Sequence, residues 1–250
     1  MYEFVSINET GQEQLSTVAM SYDGILLDEV IEGFRTLNVE GRETTSLSIN
    51  MIETDVGYLD IGQRMESPPL EVQYMIQRDT QAELKESFRK LMKAIVRDRN
   101  VEITFADEDA RHYGRFQQFL EWDEGNVQVI GKMSLYRPKP YKYGPLLTTS
   151  GSFITTEKDL SLVRIVVKPT ASTSQLRISN GEQEIRLVEP IGASDSVELN
   201  FVENRVYKNG VGFDYALALD SDFENFVIES GQTVSSGQAT LSIEYRERWL

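Results

Sequence analysis

The stretch Met133-Ser-Leu-Tyr-Arg-Pro-Lys-Pro-Tyr-Lys-Tyr-Gly144 separates two parts of the chain that differ in character. Proline fixes φ and has no backbone donor, so Pro138 and Pro140 cannot lie inside a helix or a central strand. The residue before each proline is driven toward extended backbone, which predicts a stiff connector. The predicted domains are residues 1–140 and 151–250, joined by a linker at 141–150.

Composition limits what the chain can do. Its 250 residues are enough for two domains with separate cores. A formal net charge of −15 argues against nonspecific binding to nucleic acid or anionic lipid. Cysteine is absent, which excludes disulfides, thiolate metal sites and a thiol nucleophile. No apolar run approaches the length of a membrane span, and we expect no signal peptide.

The part before the stretch mixes strands with one well-specified helix. Thr80-Gln-Ala-Glu83 has the spacing of a capping box, in which the side chains of the first and fourth residues bond each other's backbone amides. Apolar residues then recur at three- and four-residue intervals, at Leu84, Phe88, Leu91, Met92 and Ile95. This pattern predicts a helix packed on a sheet. Predicted strands around it begin near Tyr2 and include 33–42, 46–53, 70–76, 101–105, 111–119 and 126–135.

The part after the stretch predicts only strands. Short β-branched segments alternate with polar residues, and Asn180-Gly181 and Asn209-Gly210 are typical hairpin turns. Strands are also predicted at 213–219 and 225–229. Many short strands with regular turn signals favour a sandwich or a jelly roll.

Residues that could carry chemistry are scarce. The single histidine, His112, excludes any site that needs two imidazoles, and no serine occupies a Gly-x-Ser-x-Gly turn. The run from Gly125 to Met133 departs from a phosphate-binding loop in spacing and lacks its hydroxyl residue. The acidic clusters at 107–109 and 220–224 are typical of solvated turns. We therefore expect no catalytic residues, no cofactor and no metal, and a packing or surface role for His112.

The order of features resembles the distal tail protein family of long, non-contractile-tailed phages that infect Gram-positive bacteria. The resemblance is carried by Glu32-Gly-Phe-Arg-Thr-Leu-Asn-Val-Glu-Gly-Arg42, the helix at 80–96 and the run from Val127 into Gly144. Beyond residue 144 it depends on length, the all-β pattern and the ending Glu244-Tyr-Arg-Glu-Arg-Trp-Leu250. It implies a tail-tube-like β-sandwich with a flanking helix and an extended hairpin, followed by a galectin-like or jelly-roll sandwich.

The resemblance also implies a structural role in the virion tail tip, or baseplate, after assembly in the host cytoplasm. Six copies would form a ring that joins the tail tube to host-recognition proteins, and a second ring could stack on it. The implied partners are further copies of the chain, the tail tube protein, and baseplate and receptor-binding proteins, without a membrane. DNA would pass the lumen without specific binding, and an acidic lumen would suit that passage. Two alternatives are a carbohydrate-binding module that uses the C-terminal sandwich and a glycan or peptide hydrolase.

Two sets of residues are candidates for assembly. A hairpin from Gly33 to about Ile61 is expected to reach the neighbouring subunit, although an ordinary intramolecular hairpin is an equal alternative. Its candidate residues are Gly33, Arg35, Gly41, Arg42, Leu47, Ile49 and Met51. An inter-domain elbow is expected to hold the outer domain at a set angle. Its candidate residues are Tyr136, Arg137, Pro138, Pro140, Tyr141, Tyr143 and Gly144.

Overall fold

The computed structural model describes residues 15–43, 45–124, 126–151, 153 and 157–250, with the side chains of 122–124 excepted. The chain divides into two compact units, Met1–Pro140 (unit 1) and Tyr141–Leu250 (unit 2). Most of the described elements are strands, which confirms the predicted mainly β fold. The predicted opening strand near Tyr2 and the glycine at 125 lie outside the described residues. No helix in the described ranges is long and apolar enough to cross a membrane.

The described residues of unit 1 form seven strands in one antiparallel arrangement, a two-stranded hairpin and two helices. The sheet order is β2-β1-β7-β8-β9-β6-β3. Its elements are β1 Met20–Tyr22, β2 Ile25–Leu26, α1 Leu27–Val30, β3 Phe34–Glu40, β4 Ser46–Thr54, β5 Gly57–Glu66, β6 Leu70–Gln77, α2 Gln81–Ile95, β7 Val101–Phe105, β8 Arg111–Glu124 and β9 Gln128–Tyr136.

The long strand β8 holds the two halves of this sheet together. Its first residues pair with β7, ending at Val101 opposite Gly114, and the pairing with β9 starts at the next residue, Arg115, opposite Tyr136. A Cβ on Gly114 would lie 2.3 Å from the carbonyl oxygen of Tyr136, so the switch between partners requires glycine.

The predicted helix α2 forms, with its capping box. The Glu83 amide donates to Thr80 Oγ1 at 3.3 Å, and the Thr80 amide donates to Glu83 Oε2 at 3.1 Å. Leu84, Leu91 and Ile95 are buried in the core that the helix shares with β6 and its neighbours. The polar face of α2 is left on the surface.

Unit 2 has its own core beneath a sheet of order β17-β16-β15-β12-β18. A separate pair, β13–β14, contributes to the same core. Asn209 and Gly210, between β16 and β17, have φ of 53° and 80°, which confirms the predicted turn. The strands are β10 Lys142–Tyr143, β11 Leu147–Thr149, β12 Asp159–Pro169, β13 Leu176–Ser179, β14 Glu184–Leu187, β15 Val197–Asn200, β16 Arg205–Lys208, β17 Val211–Gly212 and β18 Ala239–Trp249.

Unit 2 differs from the sequence-based expectations in two places. Residues 141–150, predicted as a linker, contain β10 and β11, and both strands pair with β18. The strand predicted at 213–219 is wrong because this segment contains a short 3₁₀ turn, Asp214–Ala216. The strand predicted at 225–229 is also wrong, because a second 3₁₀ turn, Phe223–Asn225, ends where it was to begin and residues 226–229 have no regular structure. At the first turn, Asp214 accepts the Val206 amide at 2.7 Å, so its carboxylate holds the chain in a bend.

Candidate functional site

Strands β4 and β5 form a two-stranded hairpin, residues 46–66, which we call the arm. Its register runs from Ser46 opposite Glu66 to Thr54 opposite Gly57, with Asp55 and Val56 in the turn. In the described part of the chain, the arm strands pair only with each other. At roughly 3.3 Å per residue, the arm is about 30 Å long. The expected extended hairpin is therefore present.

The arm exposes large apolar side chains. Leu47, Ile49 and Met51 alternate along β4 and are 57%, 53% and 55% exposed. Val56 and Tyr58, near the turn, are 99% and 70% exposed. An isolated two-stranded hairpin is marginally stable in water, and a contiguous apolar surface marks a site of interaction. The arm therefore has the properties of an element that is completed by a partner.

A β-bulge divides the arm into two segments. The register shifts after Asn50, which lies opposite Gly62, so that Met51 lies opposite Asp60 and Ile61 is the extra residue. Gly62 has a φ of 141°, and its amide donates to Asp60 Oδ1 at 2.9 Å. A bulge increases the local twist and changes the side to which later residues point. The apolar surface thus turns around the arm between its base and its tip.

Arg137 joins the two ends of the arm to the body of unit 1. Its side chain is only 1% exposed, and it donates to the carbonyl oxygen of Gly41 at 2.8 Å. It also donates to the carbonyl oxygen of Pro68 at 3.1 Å and 2.9 Å. Gly41 precedes the arm and Pro68 follows it. Burial lowers the pKa of the Arg137 guanidinium, and the charge of Glu108 partly opposes that shift.

Two further cations stabilise the same region. Arg42 lies 2.8 Å from Asp107 and 3.4 Å from Glu108, and its guanidinium carbon lies 4.7 Å from the Phe105 ring centroid. Lys132 contacts Glu71 at 3.0 Å and Glu40 at 3.1 Å, which raises the pKa of the lysine. Glu40 and Glu71 are the last residue pair of the β3–β6 ladder, and Lys132 therefore holds the two strands together near the start of the arm.

His112 lies beside this cluster. It is fully buried, and its Nε2 is 2.9 Å from Glu108 Oε1. The ring packs 5.9 Å from the Phe105 ring, centroid to centroid. A packing role agrees with these contacts, and a surface role is wrong.

The predicted inter-subunit residues divide into two groups. Leu47, Ile49 and Met51 lie on the arm, whereas Arg35 and Arg42 belong to the body of unit 1, on β3 and in the turn after it. The predicted limits of the hairpin, Gly33 to Ile61, are wrong because β3 pairs with β6 instead of β4. The hairpin begins and ends later, at 46 and 66.

Intramolecular packing explains both glycines of the predicted hairpin. Gly33 and Gly41 have φ of 76° and 85°. A Cβ on Gly33 would lie 2.0 Å from the carbonyl oxygen of Gln77. A Cβ on Gly41 would lie 2.4 Å from the carbonyl oxygen of Pro69. Neither position tolerates a side chain.

Each half of the predicted elbow has contacts within its own unit. In unit 1, Tyr136 is half-exposed beneath the Arg115 guanidinium, Arg137 is buried, and Pro138 is exposed. Pro140, the last residue of unit 1, is half-buried.

In unit 2, the Arg248 guanidinium carbon is 4.8 Å from the Tyr141 ring centroid, and burial raises the pKa of Tyr143. The Gly144 amide donates to Glu247 O at 2.9 Å. An elbow role for these residues remains a prediction.

One buried polar cluster was missed by the sequence analysis. Asp28, on the short helix α1, accepts the amide and the hydroxyl of Thr36, each at 2.7 Å, and the amide of Met20 at 3.1 Å. It thereby connects β1 to β3, which are not paired as strands. An aspartate in an irregular segment has no sequence signal that distinguishes this role from a surface position.

The described residues offer little for catalysis. Among them, no group of three or more His, Cys, Asp or Glu side chains is arranged to hold a metal ion. In the two acidic clusters, Asp107 pairs with Arg42, Asp220 pairs with Arg186, and Asp222 accepts the Glu184 amide at 2.8 Å. In the described part of unit 2, Tyr215 is the one strongly exposed aromatic side chain, at 73%.

Comparison with known proteins agrees with this geometry. Residues 160–249 match the model of the family described as siphovirus-type tail component, C-terminal domain. The distal tail protein of Bacillus phage SPP1 is 27% identical over 220 residues, which cover 82% of this chain and 85% of that protein.

Solved structures share the fold. The crystal structure of the SPP1 Dit protein, described as a paradigm of the hub adsorption apparatus in phages infecting Gram-positive bacteria, superposes with a TM-score of 0.72 at 21% identity. The superposition covers 93% of this chain and 99% of the SPP1 Dit chain. A chain from the phage p2 baseplate in its activated conformation with Sr superposes with a TM-score of 0.58 at 9% identity, covering 87% of this chain and 91% of its own.

The sequence match over unit 2 complements the resemblance noted in the first 144 residues. The arm, the capped helix and the β-rich second unit are the parts expected from that resemblance. The chain is thus similar to the distal tail protein of phage SPP1 over most of its length, and its residues 160–249 match a family of siphovirus-type tail components.

Proposed function

We propose that this protein is a structural hub of a phage tail tip, in which copies of unit 1 form a closed ring between the tail tube and the host-recognition proteins. The exposed arm is the observation that carries the proposal. It presents apolar residues that the described part of the chain leaves exposed, including Leu47, Ile49 and Met51. Burial of such a surface against a second copy would supply the hydrophobic gain that an isolated hairpin lacks.

The arm can supply the contact that a ring needs. A projecting element and a separate acceptor surface can form a heterologous contact, in which each subunit donates to one neighbour and receives from the other. Such contacts close into a ring when the rotation between subunits permits. The resemblance to the distal tail family gives six as the expected number, with two stacked rings as a further possibility.

The names of the related proteins support a location of this chain in the virion tail. The SPP1 relative is named a distal tail protein, and the similar p2 chain belongs to a baseplate. We infer that this chain likewise resides in the virion tail, assembled in the host cytoplasm, and has a structural rather than an enzymatic role. Tail tube, baseplate and receptor-binding proteins are its proposed partners. DNA would pass through the ring without specific contacts, in keeping with the net charge of −15.

Light scattering combined with negative-stain imaging of the purified full-length protein tests this proposal. We expect a particle with about six times the 28.5 kDa mass of one chain and a ring with a central channel. A particle of one chain's mass at every concentration would reject the ring. Glycan binding by the purified protein, without self-association, would instead favour the carbohydrate-binding alternative.

A further inference from the structure

Helix α2 carries a row of basic side chains on its solvent face. Lys85, Arg89 and Lys93 follow one another at intervals of four residues, and all three are exposed. Residues four apart lie on the same side of a helix, so the three cations form a stripe about 12 Å long. We call these three residues the basic stripe.

The basic stripe has no counter-charge within the described part of the chain. No carboxylate described there lies within ion-pair distance of Lys85, Arg89 or Lys93. Neighbouring cations differ, since Lys90 lies 3.7 Å from Glu86 and Arg97 lies 3.0 Å from Asp23. Like charges four residues apart destabilise a helix. In a chain of net charge −15, an unneutralised basic row indicates a surface that meets an acidic partner.

The tip of the arm has the opposite charge. Within residues 46–66 there are four acidic residues and one basic residue, and three of the acids lie near the turn. Glu53 lies opposite Tyr58 and Met51 lies opposite Asp60, so Glu53 and Asp60 share a face. Asp55 is in the turn beside Val56. We call Glu53, Asp55, Val56, Tyr58 and Asp60 the arm tip.

The arm tip and the basic stripe belong to separate elements of unit 1. Ser87, in the middle of α2, donates to the Glu32 carbonyl oxygen at 2.8 Å, which places the helix beside the start of β3. The arm leaves from the other end of β3, after Glu40. Among the described residues, no ion pair or hydrogen bond joins the arm tip to the basic stripe of the same copy, and both surfaces are exposed. Both are therefore open to a second copy.

We propose that the acidic arm tip of one copy docks against the basic stripe on α2 of a second copy. The proposal rests on the ring described above and names the acceptor surface for its arm. Charge complementarity selects the partner and the register, while Val56 and Tyr58 supply apolar contact area at the tip. The acceptor on α2 and the donor arm are different surfaces, as a heterologous ring contact requires.

Reciprocal charge reversal in the full-length protein tests the pairing. We expect Glu53→Lys with Asp55→Lys to weaken self-association about tenfold or more, because like charges then face each other. Lys85→Glu with Arg89→Glu should do the same. All four substitutions together should restore association to within about threefold of the unmodified protein, because the pairs are re-formed with exchanged signs. Sedimentation equilibrium measures the self-association constant of the unmodified protein and of each variant.

Two charge reversals in unit 2 serve as controls for the same self-association measurement. Lys168→Glu and Glu182→Lys, exposed positions of unit 2, should leave association unchanged. One-sided reversals without effect, or a fourfold variant as weak as its parents, would overturn the docking while the ring stands. A native protein that never associates would overturn both proposals.

Duplex DNA is the competing occupant of the basic stripe. Binding of a DNA fragment that Lys85→Glu with Arg89→Glu abolishes, with self-association unchanged, would identify a phosphate-binding surface and reject the docking.

Discussion

The guanidinium of Arg137 donates a hydrogen bond to the carbonyl oxygen of Gly41, at 2.8 Å. This contact links the end of β9 to the chain segment that leads into the arm. Arg137 belongs to the proline-containing stretch that separates the two units in the sequence. The same residue therefore has a role within unit 1 that its position in the sequence does not reveal: it orients the base of the arm.

Removing this guanidinium should destabilise unit 1. We expect Arg137→Met to lower the free energy of unfolding by about 2–4 kcal/mol, because two partly buried carbonyl oxygens, those of Gly41 and Pro68, lose their donor. Urea denaturation measures the change. Arg177→Met, at an exposed position on β13, is the matched control and should change stability by less than about 0.5 kcal/mol. Equal stability of the two variants would show that the contact with Gly41 contributes nothing.

The carboxylate of Asp28 should be similarly important. Asp28→Ala leaves the amides of Met20 and Thr36 without their acceptor, so we expect a loss of about 2–4 kcal/mol in the free energy of unfolding. Glu29→Ala removes a carboxylate from the exposed side of the same short helix and should have little effect. Thermal and urea denaturation compare the two. Similar values for both would contradict the bridge between β1 and β3.

Gly33 and Gly24 offer a matched test of close packing. Both have a φ of 76°, but a Cβ on Gly33 would lie 2.0 Å from Gln77 O, whereas one on Gly24 would have no neighbour within 4 Å. Gly24→Ala should cost about 1 kcal/mol for its backbone conformation. Gly33→Ala should cost at least about 2 kcal/mol more, because the backbone of β6 must move. Comparable unfolding free energies would reject the packing explanation.

The apolar side of the arm should matter for assembly and little for folding. We expect Leu47→Ser with Ile49→Ser and Met51→Ser to abolish ring formation, while circular dichroism and the free energy of unfolding stay close to those of the unmodified protein. The three side chains are already exposed in one copy, so their loss removes no core contact. Ser46→Ala with Ser48→Ala alters the other side of β4 and serves as the control. Rings of unchanged stability in the triple variant would place the interface elsewhere.

Asp195 should contribute a pH-dependent part of the stability of unit 2. The Gly192 amide, Asn209 and Lys208 all bond its carboxylate and lower its pKa below the ordinary 3.8. A lowered folded-state pKa means that the stabilisation is present above the unfolded-state value of 3.8 and is lost as pH falls through the folded-state value. Asp195→Asn should therefore flatten the decline of stability in acid, measured by denaturation between about pH 6 and 2. An unchanged pH profile would contradict this role.

The sequence by itself determined the local elements whose signals are short-range. The capping box and the apolar period of α2, and the Asn209-Gly210 turn, depend on residues a few positions apart, and the structure has each of them. The mainly β composition is of the same kind. Their physical causes, backbone preference and periodic burial, act within a single segment.

Only the tertiary structure decided which strands are partners and which polar groups are buried. Whether β3 pairs with β4 or with β6 depends on competition between distant segments, and the pairing with β6 is what frees the arm. Arg137 and Asp28 acquire their roles from carbonyls and amides that lie far from them along the chain. Such contacts leave no local pattern, because a buried polar residue is specified by the partners that folding brings to it.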